Sequence, residues 1–140
     1  PGNWLFNRKI INHLNPELSR LISGISHFTP VTNYELQYYE HGEFKTIDGN
    51  TIKSTNSYSF VYNKNENKLE KYFSVDHSKG KLFYQIAAYN TGHHVCAQDS
   101  YAAKYIIESL TKFTLLYEAH GPKKNYLSET CYTKILVKNT

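Results

Sequence analysis

The stretch Tyr34-Glu35-Leu36-Gln37-Tyr38-Tyr39-Glu40 decides the fold. Tyr34, Leu36, Tyr38 and Glu40 alternate with Glu35, Gln37 and Tyr39, so an extended chain sends the first set to one face and the second to the other. A two-residue period predicts a strand with one buried face. His41-Gly42 reads as its end, and Phe44 to Ile47 as a segment pairing back across that turn. Asp48-Gly49-Asn50 is then a strong hairpin signal. Upstream, Trp4, Phe6, Arg8 and Ile10 share one parity in a first strand, broken by Asn15-Pro16-Glu17. A second apolar segment runs from Leu21 to Phe28 and ends at Thr29-Pro30.

The pattern repeats downstream. Tyr58, Phe60 and Tyr62 alternate with Ser57, Ser59 and Val61, and the polar run Asn63 to Asn67 is a turn. Leu69 to Val75 follows, then a turn at Asp76-His77-Ser78-Lys79-Gly80, then a strand over Leu82 to Tyr89 closed by Asn90-Thr91-Gly92. Ser100 to Leu110 fits either a short helix (Tyr101, Tyr105, Glu108) or a strand (Ile106-Ile107). Phe113 to Ala119 and Tyr126 to Val137 flank the turn Gly121-Pro122-Lys123-Lys124. Eight to ten short strands with at most one short helix predict an all-β protein. A single antiparallel up-and-down barrel over residues 1–140 is the economical form, because closure removes exposed edges.

With 140 residues, 40% hydrophobic and 15% aromatic, the chain carries enough apolar surface for one real core. Thirteen Tyr, seven Phe and one Trp suit strands and a barrel interior. The net charge is +4, with Arg8 and Arg20 the two arginines and the other fourteen basic residues lysines. Lys64, Lys68 and Lys71 interleave with Glu66 and Glu70, which reads as a solvated lysine surface rather than a basic groove, so no nucleic-acid partner is expected. No run approaches the roughly twenty apolar residues of a membrane span, so no membrane partner is expected either. Pro1-Gly2, without Met, reads as a trimmed or tagged start. Cys96 and Cys131 are too few for a disulfide scaffold and suit a reducing compartment, with cytoplasm the default, although a bridge between them stays open.

Chemistry concentrates in a few places. Arg8 and Glu40 fall on inward faces, where a charge needs a partner; the bland alternatives are Arg8 packing on Trp4 and Glu40 facing water at a strand end. His93-His94-Val95-Cys96-Ala97-Gln98-Asp99-Ser100-Tyr101 gathers imidazole, thiol, carboxylate and phenol. A closed zinc site needs four ligands, and His120 and Cys131 are only isolated additions, so no metal is expected. Cys96 activated by His94 is a second reading, and a network in which Asp99 orients His94 or Tyr101 a third. Gly121-Pro122-Lys123-Lys124-Asn125-Tyr126 presents ammonium groups suited to an anion, or is simply a solvated turn. Beyond it, Tyr126, Thr130, Tyr132 and Lys134 share a face, opposite Cys131.

Taken together, these residues resemble a family of unknown function, found in bacteria and fungi, of small lipocalin-like barrels. The likeness runs through Gly2-Asn3-Trp4 with Arg8, Gly24, Phe28, Leu36 to Gly42 and Tyr58-Ser59-Phe60. It is sharpest at His94, Cys96, Asp99 and Tyr101 (His-x-Cys-x-x-Asp-x-Tyr) and at Gly121, Pro122, Lys124, Tyr126, Thr130 and Tyr132 (Gly-Pro-x-Lys-x-Tyr, then Thr-x-Tyr). Phe60 stands where the family shows Trp, and Asp76 to Tyr84 departs from an Asp-Gly-Arg turn before Phe-His. The resemblance implies a barrel with a polar-lined cavity and brings no activity. The leading expectation is a pocket for a polar or anionic small molecule, without cofactor, built from Arg8, Tyr38, Glu40, His94, Cys96, Asp99, Tyr101, Lys124, Tyr126 and Tyr132. A cofactor-independent acid/base lyase or isomerase in the same cavity is the alternative, by analogy with phenolic acid decarboxylases and allene oxide cyclases. Glu40 or His94 would then be the base, Tyr38 or Tyr101 the acid, and Arg8 or Lys124 the anion stabiliser. A structural or protein-binding barrel comes third, and homo-oligomerisation stays open.

Overall fold

Trp4 and Phe6 are buried while their neighbours Asn3, Leu5 and Asn7 are exposed, so the two-residue period survives folding in the first strand. The computed structural model describes residues 2–46, 48–75, 78–86, 91–96 and 98–136, with backbone only at Val75, Ser78 and Cys96. Ten strands account for most of them: β1 (Gly2–Asn12), β2 (Arg20–Thr32), β3 (Glu35–Lys45), β4 (Thr51–Asn63), β5 (Lys68–Val75), β6 (Ser78–Ile86), β7 (Thr91–Cys96), β8 (Asp99–Ser109), β9 (Lys112–Gly121) and β10 (Lys124–Lys134). One 3-10 turn, Pro16–Leu18, joins β1 to β2, with Pro16 opening it. Among the described residues, sequence neighbours pair antiparallel except β6 with β7, and β1 also pairs with β10, giving the sheet order β6-β5-β4-β3-β2-β1-β10-β9-β8-β7. The result is a nearly closed antiparallel barrel. At the remaining seam, Gly92 of β7 lies against Tyr84 and Gln85 of β6, where any larger side chain would strike the tyrosine ring.

Several local expectations are corrected. His41-Gly42 does not end a strand: β3 runs on to Lys45, and Phe44 faces Ile52 of β4 instead of pairing back. Gly42 sits opposite Gly24 of β2, and a Cβ on Gly42 would come within 2.9 Å of the Phe6 ring. Close approach, not a turn, explains that glycine. The turn comes at Gly49, whose φ of +83° is the left-handed region that glycine adopts without strain. Pro30 likewise lies within β2, beside a register shift between Pro30 and Thr32. Ser100 to Ser109 is strand rather than helix, with Leu110 in the turn that follows, because β8 pairs on both sides, with β7 and β9. Thr91-Gly92 opens β7, and Ser78-Lys79-Gly80 opens β6. Asp76-His77, residues 87–90 and Val137 lie outside the described residues.

Aromatic rings fill one end of the barrel. Trp4 packs edge-on against Phe113 at 5.1 Å and Phe28 at 6.4 Å, and Phe113 stacks on Tyr132 at 4.4 Å. The cation over Trp4 is Lys134, 6.0 Å from the ring, so the pairing of Trp4 with Arg8 is not formed. Cys131 is a free thiol on the outer side of β10, and the Cys96–Cys131 bridge is not formed. Among the described residues, no helix is long and apolar enough to cross a membrane.

Two glycines separate steric from conformational cost. A Cβ on Gly24 would overlap the backbone carbonyl of His41, so Gly24→Ala should cost about 3 kcal/mol or more in urea unfolding. Nothing surrounds Gly49, so Gly49→Ala should cost only about 1 kcal/mol, the backbone term alone. Equal losses at the two positions would refute the close-packed β1–β2–β3 crossing.

Candidate functional site

Arg8 on β1 and Glu40 on β3 meet over the strand between them. Phe6, Gly24 and Gly42 lie in one cross-strand row, and the absence of side chains on both glycines lets the Phe6 ring extend across β2. The Arg8 guanidinium lies over that ring, 5.0 Å from its centre. It then forks onto Glu40, with Nη1 donating to Oε2 and Nη2 to Oε1, each at 2.7 Å. Arg8 Nε donates to Thr130 Oγ1 at 2.8 Å, Tyr38 OH to Glu40 Oε1 at 2.7 Å, and Asn56 Nδ2 to Glu40 Oε2 at 3.3 Å. Tyr38 and Tyr132 share a further O–H···O contact of 3.1 Å.

Glu40 is 2% exposed, so the water-facing reading of this carboxylate is overturned. Burial alone would raise its pKa, but the hydrogen bonds and charge of Arg8, with help from Tyr38 and Asn56, hold it below the ordinary carboxylate value. Burial, and then the neighbouring Tyr132 and Glu40, push the Tyr38 phenol far above its ordinary range. Both carboxylate oxygens are therefore engaged by a partner that stabilises the charged form. Glu40 is a poor proton acceptor here.

Lys71 occupies the other side of the lumen and is only 6% exposed. It shares parity with Leu69 and Phe73 on β5, yet the lysine-rich run around it reads as surface, and the solvated reading of Lys71 is corrected. Its cross-strand partner is Tyr84, and β6 carries a one-residue irregularity beside that pair: Lys71 opposes Tyr84 while Tyr72 opposes Leu82. The extra residue is Phe83, and such a bulge re-aims side chains. Phe83 and Tyr84 are consecutive and both buried. Lys71 Nζ donates to Tyr84 OH at 3.3 Å and lies 4.1 Å from the centre of the Tyr58 ring. Phe60, Tyr84 and Phe83 complete an aromatic box at 5.3 to 5.6 Å. Burial, reinforced by the charge of Arg8, lowers its pKa to about 7, with Glu40 opposing weakly.

Between these two groups lies a cavity of about 500 Å³. Its wall includes Arg8, Tyr38, Glu40, His94, Tyr101, Lys124, Tyr126 and Tyr132, eight of the ten residues expected from the sequence. Asp99 stands just outside, at the rim, with Oδ2 3.9 Å from Lys124 Nζ. Lys124 Nζ in turn donates to Tyr101 OH at 2.9 Å, so Lys124, rather than a direct Asp99 contact, positions that phenol. His94 packs its ring on Phe83 and Tyr101, both at 5.8 Å. The Cys96 side chain lies outside the described residues, and with it the His94–Cys96 pair. Lys71, Lys81, Asn56, Tyr58, Tyr117 and Ser128 also line the wall and escape sequence reading. Their inward parity is visible, but a polar residue on such a face carries no sign of what it will meet. Beneath the cavity is an apolar chamber of about 370 Å³ whose walls include Trp4, Phe28, Leu36, Ile86 and Phe113; Lys71, Tyr38 and Tyr132 border both spaces.

An antiparallel meander closed around a polar chamber defines a small barrel with an internal cavity. More particularly, the chain belongs to DUF6314, a family of unknown function, whose profile matches residues 1–134. No curated protein matches it in sequence. Among solved structures it is similar to the S-type phycobiliprotein lyase CPES from Guillardia theta, with a TM-score of 0.66 and 13% identity over 99% of this chain and 89% of that one. It is also similar to the redesigned β-barrel mFAP0 bound to DFHBI, with a TM-score of 0.50 and 15% identity over 96% of this chain and 97% of that one. At such identities the likeness is one of fold.

The two buried basic groups respond oppositely to substitution. Glu40→Ala strands Arg8 as an unpaired buried charge and should cost about 3–5 kcal/mol in denaturant unfolding, whereas the double variant Arg8→Met/Glu40→Leu should recover most of it. A full loss in the double variant would show that the pair is not the source. For Lys71, the folded pKa lies below the unfolded one, so the unfolded chain binds more protons between pH 7 and about 10.5, and stability rises across that window. Lys71→Met should therefore stabilise by about 1–4 kcal/mol at pH 6, a gain that shrinks toward pH 10. A pH-independent difference would contradict a buried ammonium.

Proposed function

We propose that this barrel binds a small anionic molecule bearing an aromatic ring, held inside its tyrosine-lined cavity. One observation carries the reading: among the described residues, four basic side chains, Arg8, Lys71, Lys81 and Lys124, line the cavity against the single carboxylate Glu40. Because Glu40 is fully engaged by Arg8 and Asp99 faces Lys124 at the rim, Lys71 and Lys81 are left in excess. A bound anion would supply the missing charge. The wall suits a ring, since Tyr58, Phe83, Tyr101, Tyr117 and Tyr126 offer flat faces and phenolic hydroxyls at once. Its volume falls within the range of small-molecule sites, and pockets of this kind combine an apolar lining with a few placed polar groups. The barrel mFAP0, similar in fold, is bound to DFHBI, which supports a lumen of this architecture as a place for a small molecule.

The acid/base alternative is the weaker one. Of its two bases, Glu40 or His94, the first is held charged by Arg8, and of its two acids, Tyr38 or Tyr101, the first is made harder to ionise by burial.

8-Anilinonaphthalene-1-sulfonate and its neutral counterpart N-phenyl-1-naphthylamine share ring systems and differ in charge. Fluorescence titration should show the sulfonate binding about tenfold more tightly, a difference of roughly 1.4 kcal/mol. Lys81→Ala/Lys124→Ala should erase that preference without altering the unfolding midpoint by more than a few degrees. Equal affinity for the two dyes, or a preference that survives the double substitution, would refute the anion-binding cavity.

A further inference from the structure

We propose that Lys71 is a nucleophile that captures the carbonyl carbon of an aromatic aldehyde as an imine. The proposal rests on the cavity being a ligand site, and it adds the reacting group and the ligand class.

The case begins with placement. Lys71 borders both the polar cavity and the apolar chamber beneath it, so a ligand occupying either space meets the same Nζ. Among the described residues the amine holds no carboxylate: it donates to Tyr84 OH, which is itself 2.6 Å from Tyr105 OH. Facing it from the other strands are Arg8 on β1, Tyr38 and Glu40 on β3, Tyr58 on β4, Tyr84 on β6, Tyr105 on β8 and Tyr132 on β10. Of these, Glu40 is the only anion, and it is bound to Arg8. The surroundings therefore disfavour the ammonium, and the lowered pKa, about 7, leaves a large fraction of free amine at neutral pH. Exposed lysines at that pH are almost wholly protonated.

The reaction balances without any oxidant or metal. The Nζ lone pair attacks the carbonyl carbon, forming the C–N bond as the C=O π electrons move to oxygen. One amine proton passes to that oxygen, giving a carbinolamine. Loss of the hydroxyl with a second proton releases one water and leaves C=N. When protonated, the imine nitrogen carries its charge inside the same aromatic box, whose ring faces stabilise a cation. The aryl ring has room among Trp4, Phe28 and Phe113 on one side or the tyrosines on the other.

The test treats the full chain at pH 7 with a slight excess of 4-hydroxybenzaldehyde and then sodium cyanoborohydride, followed by intact mass and peptide mapping. Reduction should fix one hydroxybenzyl group per chain, with Lys71 labelled at least tenfold more than any other lysine. Lys71→Met, which keeps the volume and removes the amine, should abolish the dominant adduct while the unfolding midpoint stays at or above that of the parent chain. Labelling scattered over outer lysines and unchanged in Lys71→Met would overturn the proposal, as would an unlabelled Lys71. The dye separates the two levels: if it binds with the expected charge preference and Lys71 stays unlabelled, imine formation alone is wrong. If the dye shows no preference for the cavity lysines, the binding reading falls and the imine with it.

Discussion

The bidentate contact between Arg8 and Glu40 organises the interior of this barrel. Its partners are 32 residues apart and belong to strands that are not neighbours, so the bridge must pass over β2. That passage needs a bare strand, which Gly24 provides, and a flat surface for the guanidinium, which Phe6 provides by lying toward Gly42. Two buried charges are tolerated only when their remaining donors and acceptors are also satisfied. Thr130 on β10 and Asn56 on β4 do this from two further strands, and Tyr38 from the strand of Glu40 itself. Four strands beside β2 are thus tied to one ion pair.

The same contact sets the electrostatic character of the cavity. Glu40 neutralises Arg8 and Asp99 faces Lys124 at the rim, so among the described residues Lys71 and Lys81 are left without a counter-charge in the lumen. Lys71 shows the consequence most sharply. Four aromatic rings surround its ammonium, and quadrupoles only partly replace the hydration it has lost. A buried lysine without an anion is a cost to folding, and groups kept at such a cost concentrate where a protein meets its ligand. The bulge that turns Phe83 inward beside Tyr84 builds the box from two successive residues of one strand.

Much of this architecture was legible from alternation alone. The parity of Trp4, Phe6 and Arg8, and of Leu36, Tyr38 and Glu40, gives the inward face of β1 and β3 correctly, although Tyr34 of the same parity lies before β3 and is exposed. The motifs opening β8 and β10 reach one rim, at Lys124, Tyr101 and Asp99. Gly42 misleads because a glycine within a strand and a glycine at a turn look alike in sequence, and only the ring of Phe6 distinguishes them. Lys71 misleads because Lys64, Lys68, Glu66 and Glu70 around it dominate the local charge pattern, although Leu69 and Phe73 on either side share its face. Tyr84 cannot be placed from parity at all, since the bulge beside it breaks the period on which parity depends.

What the sequence determined by itself is therefore the strand content and, outside bulges, which side chains turn inward. Steric alternation of successive residues is a local property of the extended chain. Which inward residues meet is settled only by the tertiary structure. Pairing of β1 with both β2 and β10 closes the lumen, and closure brings Arg8 to Glu40, Lys71 to the aromatic box and Lys124 to Tyr101. Those encounters depend on register across distant strands and on mutual burial, where the energy of a charge is decided by its neighbours rather than by its own position in the chain.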